Sequence, residues 1–286
     1  MAHLTKLTDT YTLANGVEIP IVGFGTWQTP SGDVAEASVM SALNAGYRHI
    51  DTAAIYGNEE SVGAGIKKSG VNRQDLFLTT KLWNNRRDYQ SALGGIDESL
   101  QKLGTDYVDL YLIHWGNPLA SRDHWQEANA ETWRAMEDIL KSGKARAIGV
   151  SNFRVKHLNE LFKTATVKPM VNQLFLNPSD MQEEVTAFNR ENGILNEAYS
   201  PLGTGKIFGV EALQKMAARY GKSVAQIVLR WSLQHDFLPL PKSVHEERIV
   251  ENGQLFDFEL SHHDMALIDE LHGVAGLSQD PDLATF

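Results

Sequence analysis

Three polar side chains stand where apolar runs end, Asp51, Lys81 and His114, and a phenol, Tyr56, follows the first of them by five residues. A tyrosine ionises near ~10, too high for easy proton transfer at neutral pH, and an ammonium beside it favours the phenolate and lowers that value. Asp51 would keep such a lysine charged and in place. A histidine next to the phenol donates a hydrogen bond to a carbonyl oxygen or joins the proton path, depending on its tautomer. The combination suits the protonation of a developing alkoxide. Singly, each residue has an ordinary structural explanation: Asp51 as a helix cap, Tyr56 as loop filler, Lys81 snorkelling, His114 as a satisfied core histidine. Four of them at successive strand ends favour a shared chemical role.

The elements that must position them are legible in the hydrophobic pattern. Short β-rich runs begin at His49 (HIDTA), Leu76 (LFLTTKL), Val108 (VDLYLIHW), Ala145 (ARAIGVSN), Pro169 (PMVNQLFL), Ile194 (ILNEAYSPL) and Leu238 (LPLPKS). With a segment around Ile21 to Phe24 they make eight, separated by longer amphipathic stretches. In SVAQIVLRWSLQ, Val224, Ile227, Val228 and Trp231 follow the i, i+3, i+4, i+7 helical pattern, and Ser223 and Gln226 have capping-box spacing. Upstream, Asn15-Gly16 between two alternating segments predicts a two-residue hairpin turn with positive φ at both central positions. Eight strand-helix units in 286 residues predict a (β/α)8 TIM barrel, whose site lies at the carboxyl ends of the strands. An open doubly wound sheet is disfavoured because no nucleotide fingerprint is intact. Gly23 and Gly25 are followed by Gln28, and Gly203 and Gly205 have their next glycine at 209, one position late. Gly205-Lys206 is not a P-loop, since Ser200 and Ile207 occupy the positions of its first glycine and its hydroxyl residue. No linker or composition break divides the chain, so residues 1–286 are expected to form a single domain.

Composition narrows the partners. The chain has 26 Lys and Arg against 36 Asp and Glu, a net charge of -10, which disfavours nucleic acid or an anionic membrane as the main partner. It has no cysteine, hence no disulfide, thiolate nucleophile or cysteine metal site. The opening MAHLTKLTDT lacks the apolar stretch of a secretory leader, and no run approaches the ~18–20 apolar residues of a membrane span. A soluble protein of the cytoplasm is expected. Its ten histidines form neither H-E-x-x-H nor a His-x-His pair at a strand end, so no metal is expected, and His262-His263 reads as an exposed helix start.

Three long motifs then carry a resemblance: GYRHIDTAAIYGNEESVG from Gly46 to Gly63, RAIGVSNF from Arg146 to Phe153, and LPKSVHEERIVEN from Leu240 to Asn252. In these the chain resembles the aldo/keto reductase family, and HIDTAAIYGNEE and TTKLWN look most like its bacterial, monomeric 2,5-diketo-D-gluconate reductase-type members. The resemblance implies a monomeric NADPH-dependent oxidoreductase that reduces aldehydes or ketones, with the hairpin closing the barrel's bottom. It makes Tyr56 the general acid, Lys81 and Asp51 its tuning pair, and His114 the residue that orients the substrate carbonyl. It stacks the nicotinamide on Tyr199, and assigns its carboxamide to Ser151, Asn152 and Gln173. Leu202 and Gly203, with the loop through Lys206, would lie along the pyrophosphate. Lys242, Ser243 and Arg248 form a grouping suited to a phosphate monoester. The resemblance makes that the adenosine 2'-phosphate, with Glu251 and Asn252 near the adenine. Trp27, Trp83 and Trp115, each after a strand end, would wall an apolar substrate cleft.

Some positions depart from the family pattern. Gly116 follows His114-Trp115 where proline is common, and is expected to loosen the loop carrying Trp115. Phe175 and Asn177 replace the usual residues after Asn172-Gln173. The tail from Gly276 to Phe286 is short and polar, so a broad substrate range is expected. The competing function is a cofactor-binding but non-catalytic barrel protein, against which the intact set Asp51, Tyr56, Lys81 and His114 argues.

Overall fold

The computed structural model describes residues 4–286. An antiparallel hairpin comes first, β1 (Thr10–Thr12) with β2 (Glu18–Pro20), in the register Thr10↔Pro20. Eight parallel strands follow: β3 (Phe24–Gly25), β4 (His49–Asp51), β5 (Phe77–Leu82), β6 (Val108–Ile113), β7 (Ala145–Ser151), β8 (Val171–Phe175), β9 (Leu195–Tyr199) and β10 (Leu238–Leu240), paired in chain order. Between them run α1 (Asp33–Asn44), α2 (Glu59–Ser69), α3 (Tyr89–Leu103), α4 (Trp125–Ser142), α5 (Val155–Leu161) and α6 (Glu183–Glu191), then the pair α7 (Glu211–Tyr220) and α8 (Val224–Gln234). After β10 come α9 (Glu246–Gly253) and α10 (His262–Asp269).

The sheet closes on itself at an asymmetric seam. Gly23 N–H donates to the Pro239 carbonyl at 3.1 Å and Gly25 N–H to the Pro241 carbonyl at 3.0 Å. The two prolines have no N–H to return, so the seam carries hydrogen bonds in one direction only. Glycine is required opposite them, because a Cβ at Gly23 would lie 2.5 Å from the Leu240 side chain and 2.7 Å from His49 Nδ1.

Two local expectations are corrected. The hairpin loop has three residues, not two: Gly16 N–H donates to Leu13 O at 2.8 Å and Leu13 N–H to Val17 O at 2.9 Å. Only Gly16 takes a positive φ, of 83°, giving a type I turn closed by a left-handed glycine. The first barrel strand begins at Phe24 rather than Ile21, because Ile21 N–H is still bonded to Asp9 O at the hairpin. The hairpin closes the amino end of the barrel, where Leu13 and Ile19 are buried and Asn15 Nδ2 donates to Arg146 O at 2.9 Å, at the start of β7. Helix α8 starts as its sequence predicts, with Ser223 and Gln226 exchanging a capping box. Strands β5 and β6 are buried along their whole length, as strands of a parallel sheet covered by helices must be. No helix among the described residues is long and apolar enough to cross a membrane.

Candidate active site

At the carboxyl ends of the strands a cavity of about 1150 Å³ opens, somewhat above the ~300–1,000 Å³ of ordinary small-molecule sites and roomy enough for a dinucleotide beside a substrate. Its floor is formed by Asp51, Tyr56 and His114, three of the predicted four, with Lys81 buried behind them. Strand β4 ends in Asp51, a short 3-10 turn over Ala54–Tyr56 brings the phenol back above it, and β5 delivers Lys81 alongside. Lys81 is fully buried, and its ammonium donates to Asp51 Oδ1 at 2.7 Å, Asp51 Oδ2 at 2.8 Å and Thr52 O at 2.8 Å. Tyr56 OH lies 3.4 Å from the same nitrogen. The His114 ring meets Tyr56 edge-on with centroids 5.9 Å apart.

The electrostatics refine the sequence expectation. Burial pushes the Tyr56 phenol up and Lys81 pulls it down, and burial wins. The phenol therefore keeps its proton at neutral pH, while the ammonium limits the cost of losing it. For Lys81, burial works against the charge, but the groups around it, Asp51 first and then Tyr56, together outweigh it and hold the lysine above its ordinary value. Burial drives His114 well below the usual histidine range, and Lys81 adds to the effect, so the ring is neutral. His114 Nδ1 is buried without a partner, which leaves Nε2 as the nitrogen reaching the cavity. A neutral donor, a protonated phenol and a fixed cation thus converge on one spot, an arrangement that can bind a carbonyl oxygen and hand it a proton.

Beside the floor, Tyr199 donates its hydroxyl to Asn152 Oδ1 at 2.9 Å, and Asn152 Nδ2 in turn donates to His114 O at 3.1 Å. Asn152 holds a left-handed φ of 57° to make this bridge. Gln173 Nε2 donates to Asp51 Oδ2 at 2.9 Å and to Glu197 Oε2 at 2.7 Å. Its amide nitrogen is thereby committed, so only its carbonyl oxygen is available to the cavity that Gln173 lines. Ser151 lies beneath the wall, donating to Gln173 O at 2.8 Å, and Gly203 likewise lies behind Leu202 and Thr204, which do line it.

The far arm of the cavity is lined by Lys242, Ser243, Arg248, Glu251 and Asn252, from the end of β10 and from α9. Lys242 and Arg248 are exposed and pair with no carboxylate among the described residues. Two cations without a carboxylate partner, lining one arm together with the Ser243 hydroxyl, fit the phosphate end of a dinucleotide, and the broad face of Tyr199 near the floor fits its aromatic end. No group of three or more His, Asp or Glu close enough to hold a metal occurs among the described residues.

Trp27, Trp83 and Trp115 all line the opposite wall. The short tail, read from the sequence as polar, brings its terminal aromatic residue onto this wall. Phe286 stacks on Trp83 with centroids 5.9 Å apart and planes 26° from parallel, and meets Trp115 edge-on at 4.9 Å. The expected loosening at Gly116 is absent. Arg87 Nη1 donates to Trp115 O at 3.2 Å, Asn129 Nδ2 donates to Gly116 O at 2.9 Å, and a Cβ at 116 would sit 3.2 Å from Phe153 and 3.3 Å from His157. The glycine lets the loop pack closer. Phe175 meets Tyr199 edge-on at 5.9 Å, and Asn177 Nδ2 donates to Ser200 O at 3.3 Å, tying down the loop after β9. Sequence reasoning passed over Phe286, Arg87 and Glu197. An arginine and a lone terminal aromatic carry no periodic signal. A glutamate inside the apolar run ILNEAYSPL was a readable anomaly.

With this geometry in hand, comparison with known proteins is decisive. The model of the aldo/keto reductase family matches residues 21–272. The chain belongs to the aldo/keto reductase family. It is 48% identical over 282 residues to the glyoxal reductase of Bacillus subtilis (strain 168), spanning 99% of each chain. Among solved structures, an aldo/keto reductase from Brucella melitensis is 46% identical with a TM-score of 0.86, over 92% of this chain and 98% of that one. An aldo-keto reductase of Bombyx mori, solved in complex with NADP, is 37% identical with a TM-score of 0.85 over 93% of each chain.

Proposed function

We propose that this aldo/keto reductase reduces aldehydes or ketones to alcohols with NADPH, reversibly, and that Tyr56 supplies the proton. The observation that carries the reading is the ammonium of Lys81, bonded to both oxygens of Asp51 and 3.4 Å from the Tyr56 hydroxyl, beneath a cavity that also receives His114. NADPH, when bound, supplies the hydride from nicotinamide C4.

The chain's own residues do the rest. His114 is neutral because burial opposes its charge, so its cavity-facing Nε2 can carry a proton and donate to the substrate oxygen without repelling Lys81. Tyr56 is protonated for the same reason and gives up its proton only when alkoxide character builds on that oxygen, a far stronger base than a phenolate. Lys81 then faces the new phenolate at short range and stabilises it. Asp51 has no direct part in the transfer. It keeps Lys81 charged in a place where a lone ammonium would lose its proton. Asn152, Gln173 and Tyr199 would seat the nicotinamide, with Ser151 bracing Gln173 from behind. Leu202 and Gly203 would carry the pyrophosphate, and Lys242, Ser243 and Arg248 the 2'-phosphate, with Glu251 and Asn252 at the adenine. Trp27, Trp83 and Trp115 keep water from the reacting carbon. The relative named for glyoxal, a small dialdehyde, supports small aldehydes as substrates.

The same reading has one domain acting as a monomer in the cytoplasm, on small molecules rather than on nucleic acid or at a membrane. The absence of cysteine and the net charge of -10 support it. The test is NADPH oxidation by the purified protein with a panel of aldehydes, ketones and keto-sugars, with Tyr56→Phe in parallel. Turnover should fall by roughly 10²–10⁴-fold in the variant while NADPH affinity holds. Tight NADPH binding with no turnover in the parent protein would instead support a non-catalytic binding protein.

A further inference from the structure

Below the tetrad a second carboxylate enters the barrel. Glu197 on β9 is fully buried, and the register Gln173↔Glu197 sets the Gln173 amide between it and Asp51. One Nε2 thus serves two carboxylates, Glu197 Oε2 at 2.7 Å and Asp51 Oδ2 at 2.9 Å. The other oxygen, Glu197 Oε1, accepts no hydrogen bond and lies 3.6 Å from His49 Nε2, which is paired instead with Thr79 Oγ1 at 3.0 Å. The titratable groups facing Glu197 are therefore His49 and Asp51 from β4, Lys81 from β5, and Tyr56 above them. Strand β8 offers the uncharged Gln173, and β10 the apolar Leu238.

Charge balance decides the state of this group. Burial drives the pKa of His49 down to about 3, with Lys81 adding to the effect, so the imidazole is neutral and Lys81 is the one cation in the set. One ammonium cannot balance two buried carboxylates, and the negative charge belongs on Asp51, both of whose oxygens Lys81 holds. A proton on Glu197 Oε1 also relieves a buried carboxylate oxygen that would otherwise be bare.

We propose that Glu197 keeps a proton during carbonyl reduction and is a positioning residue, fixing Gln173 against Asp51 so that Lys81 stays aimed at Tyr56. The inference rests on the reductase reading above. It links the cofactor seat to the acid, because the same glutamine turns its remaining oxygen to the cavity. Burial, with Asp51 next, carries the Glu197 carboxyl up to about 8. A raised carboxyl is protonated below that value and ionised above it. Once ionised, Glu197 places a second negative charge below Tyr56, which makes the phenol hold its proton more tightly. Reduction should therefore slow as pH rises through about 8.

The experiment is kcat/KM for reduction of one good aldehyde against pH in the parent protein, Glu197→Gln and Glu197→Asp, together with carbon NMR of glutamate-labelled protein without cofactor. In the parent, kcat/KM should drop several-fold along one limb to a lower plateau as pH passes through the Glu197 ionisation, because the second negative charge weakens Tyr56 as an acid without removing it. In Glu197→Gln, which retains a carbonyl to accept from Gln173, that limb should vanish, and Glu197→Asp should restore one. The NMR resonance absent from Glu197→Gln should titrate far above an ordinary carboxylate. A limb unmoved in Glu197→Gln, an equal loss at every pH, or a resonance that titrates near ~4.3 would overturn the inference. A parent protein with no turnover at any pH would sink the reductase reading itself, an outcome separate from clear turnover with an unmoved limb.

Discussion

The two ends of the cavity handle charge in opposite ways. At the floor, Lys81 and Asp51 are buried, matched to each other by two short contacts with a third from Lys81 to Thr52 O, and carried on strands. At the far arm, Lys242 and Arg248 are exposed, pair with no carboxylate among the described residues, and sit on the segment leaving β10 and on α9. A buried ion must be balanced before any ligand arrives, since desolvation costs several kcal/mol per ion. A solvated cation can wait for its anion at little cost. The floor is thus built for chemistry at a fixed point, and the arm for recognition of something that comes and goes.

The comparison breaks first at Lys81. Lys81→Met leaves Asp51 buried with no cation, so the expected loss is about 3–5 kcal/mol of stability, read as a lower urea midpoint, along with nearly all turnover. A variant as stable as the parent would mean that Asp51 carries no charge in the fold, and the contrast between the two ends would be lost. Arg248→Ala probes the other end and should leave the urea midpoint almost unmoved. NADPH affinity should fall by ~10–100-fold, the worth of one or two charge-assisted hydrogen bonds, while NADH affinity stays. Equal weakening of both cofactors would remove the phosphate from the arm.

The same contrast explains what could be read in advance. Strand ends announce themselves, because a polar residue that stops a run such as VDLYLI has few reasons to be there, so Asp51, Lys81 and His114 are legible in the sequence alone. The cations of PKSVHEER were visible as a group. Residues whose importance comes from a distant partner were not. Arg87 matters because it holds Trp115 O and Asn129, and nothing in RRDYQ says so. The hairpin failed differently: Asn15-Gly16 marked the turn correctly, but loop length is set by pairing at Leu13 and Val17, which dipeptide chemistry alone leaves open. The net direction of the Tyr56 shift was likewise illegible, since spacing reveals a nearby lysine but not how completely the phenol is buried.

A third region lies between these extremes, and it yields the smallest expected effect. The tail is neither an ion-paired core nor a free arm. Asp282 is held by Asn117 Nδ2 at 2.7 Å, by His157 Nε2 at 3.0 Å and by Lys156, and Leu119 N–H donates to Phe286 O at 3.0 Å. These bonds set the Phe286 ring against Trp83 and Trp115, where it occupies part of the aromatic wall. An aromatic contact of this kind is worth ~0.5–1.5 kcal/mol beyond its area, so Phe286→Ala should cost about 1 kcal/mol of stability and leave the floor intact. Its kinetic effect should separate substrates by size. A small aldehyde, which needs the wall to stay near Tyr56, should lose a few-fold in KM with kcat unchanged. A bulky aryl ketone should gain, shifting the ratio of their kcat/KM values by about tenfold, or about 1.4 kcal/mol. Steady-state rates on one substrate of each size decide it. Equal change for both would make Phe286 a distant support of the fold. A fall in kcat for the small aldehyde would mean that the wall reaches down to the tetrad, and the separation of a rigid floor from an adjustable rim would have to be given up.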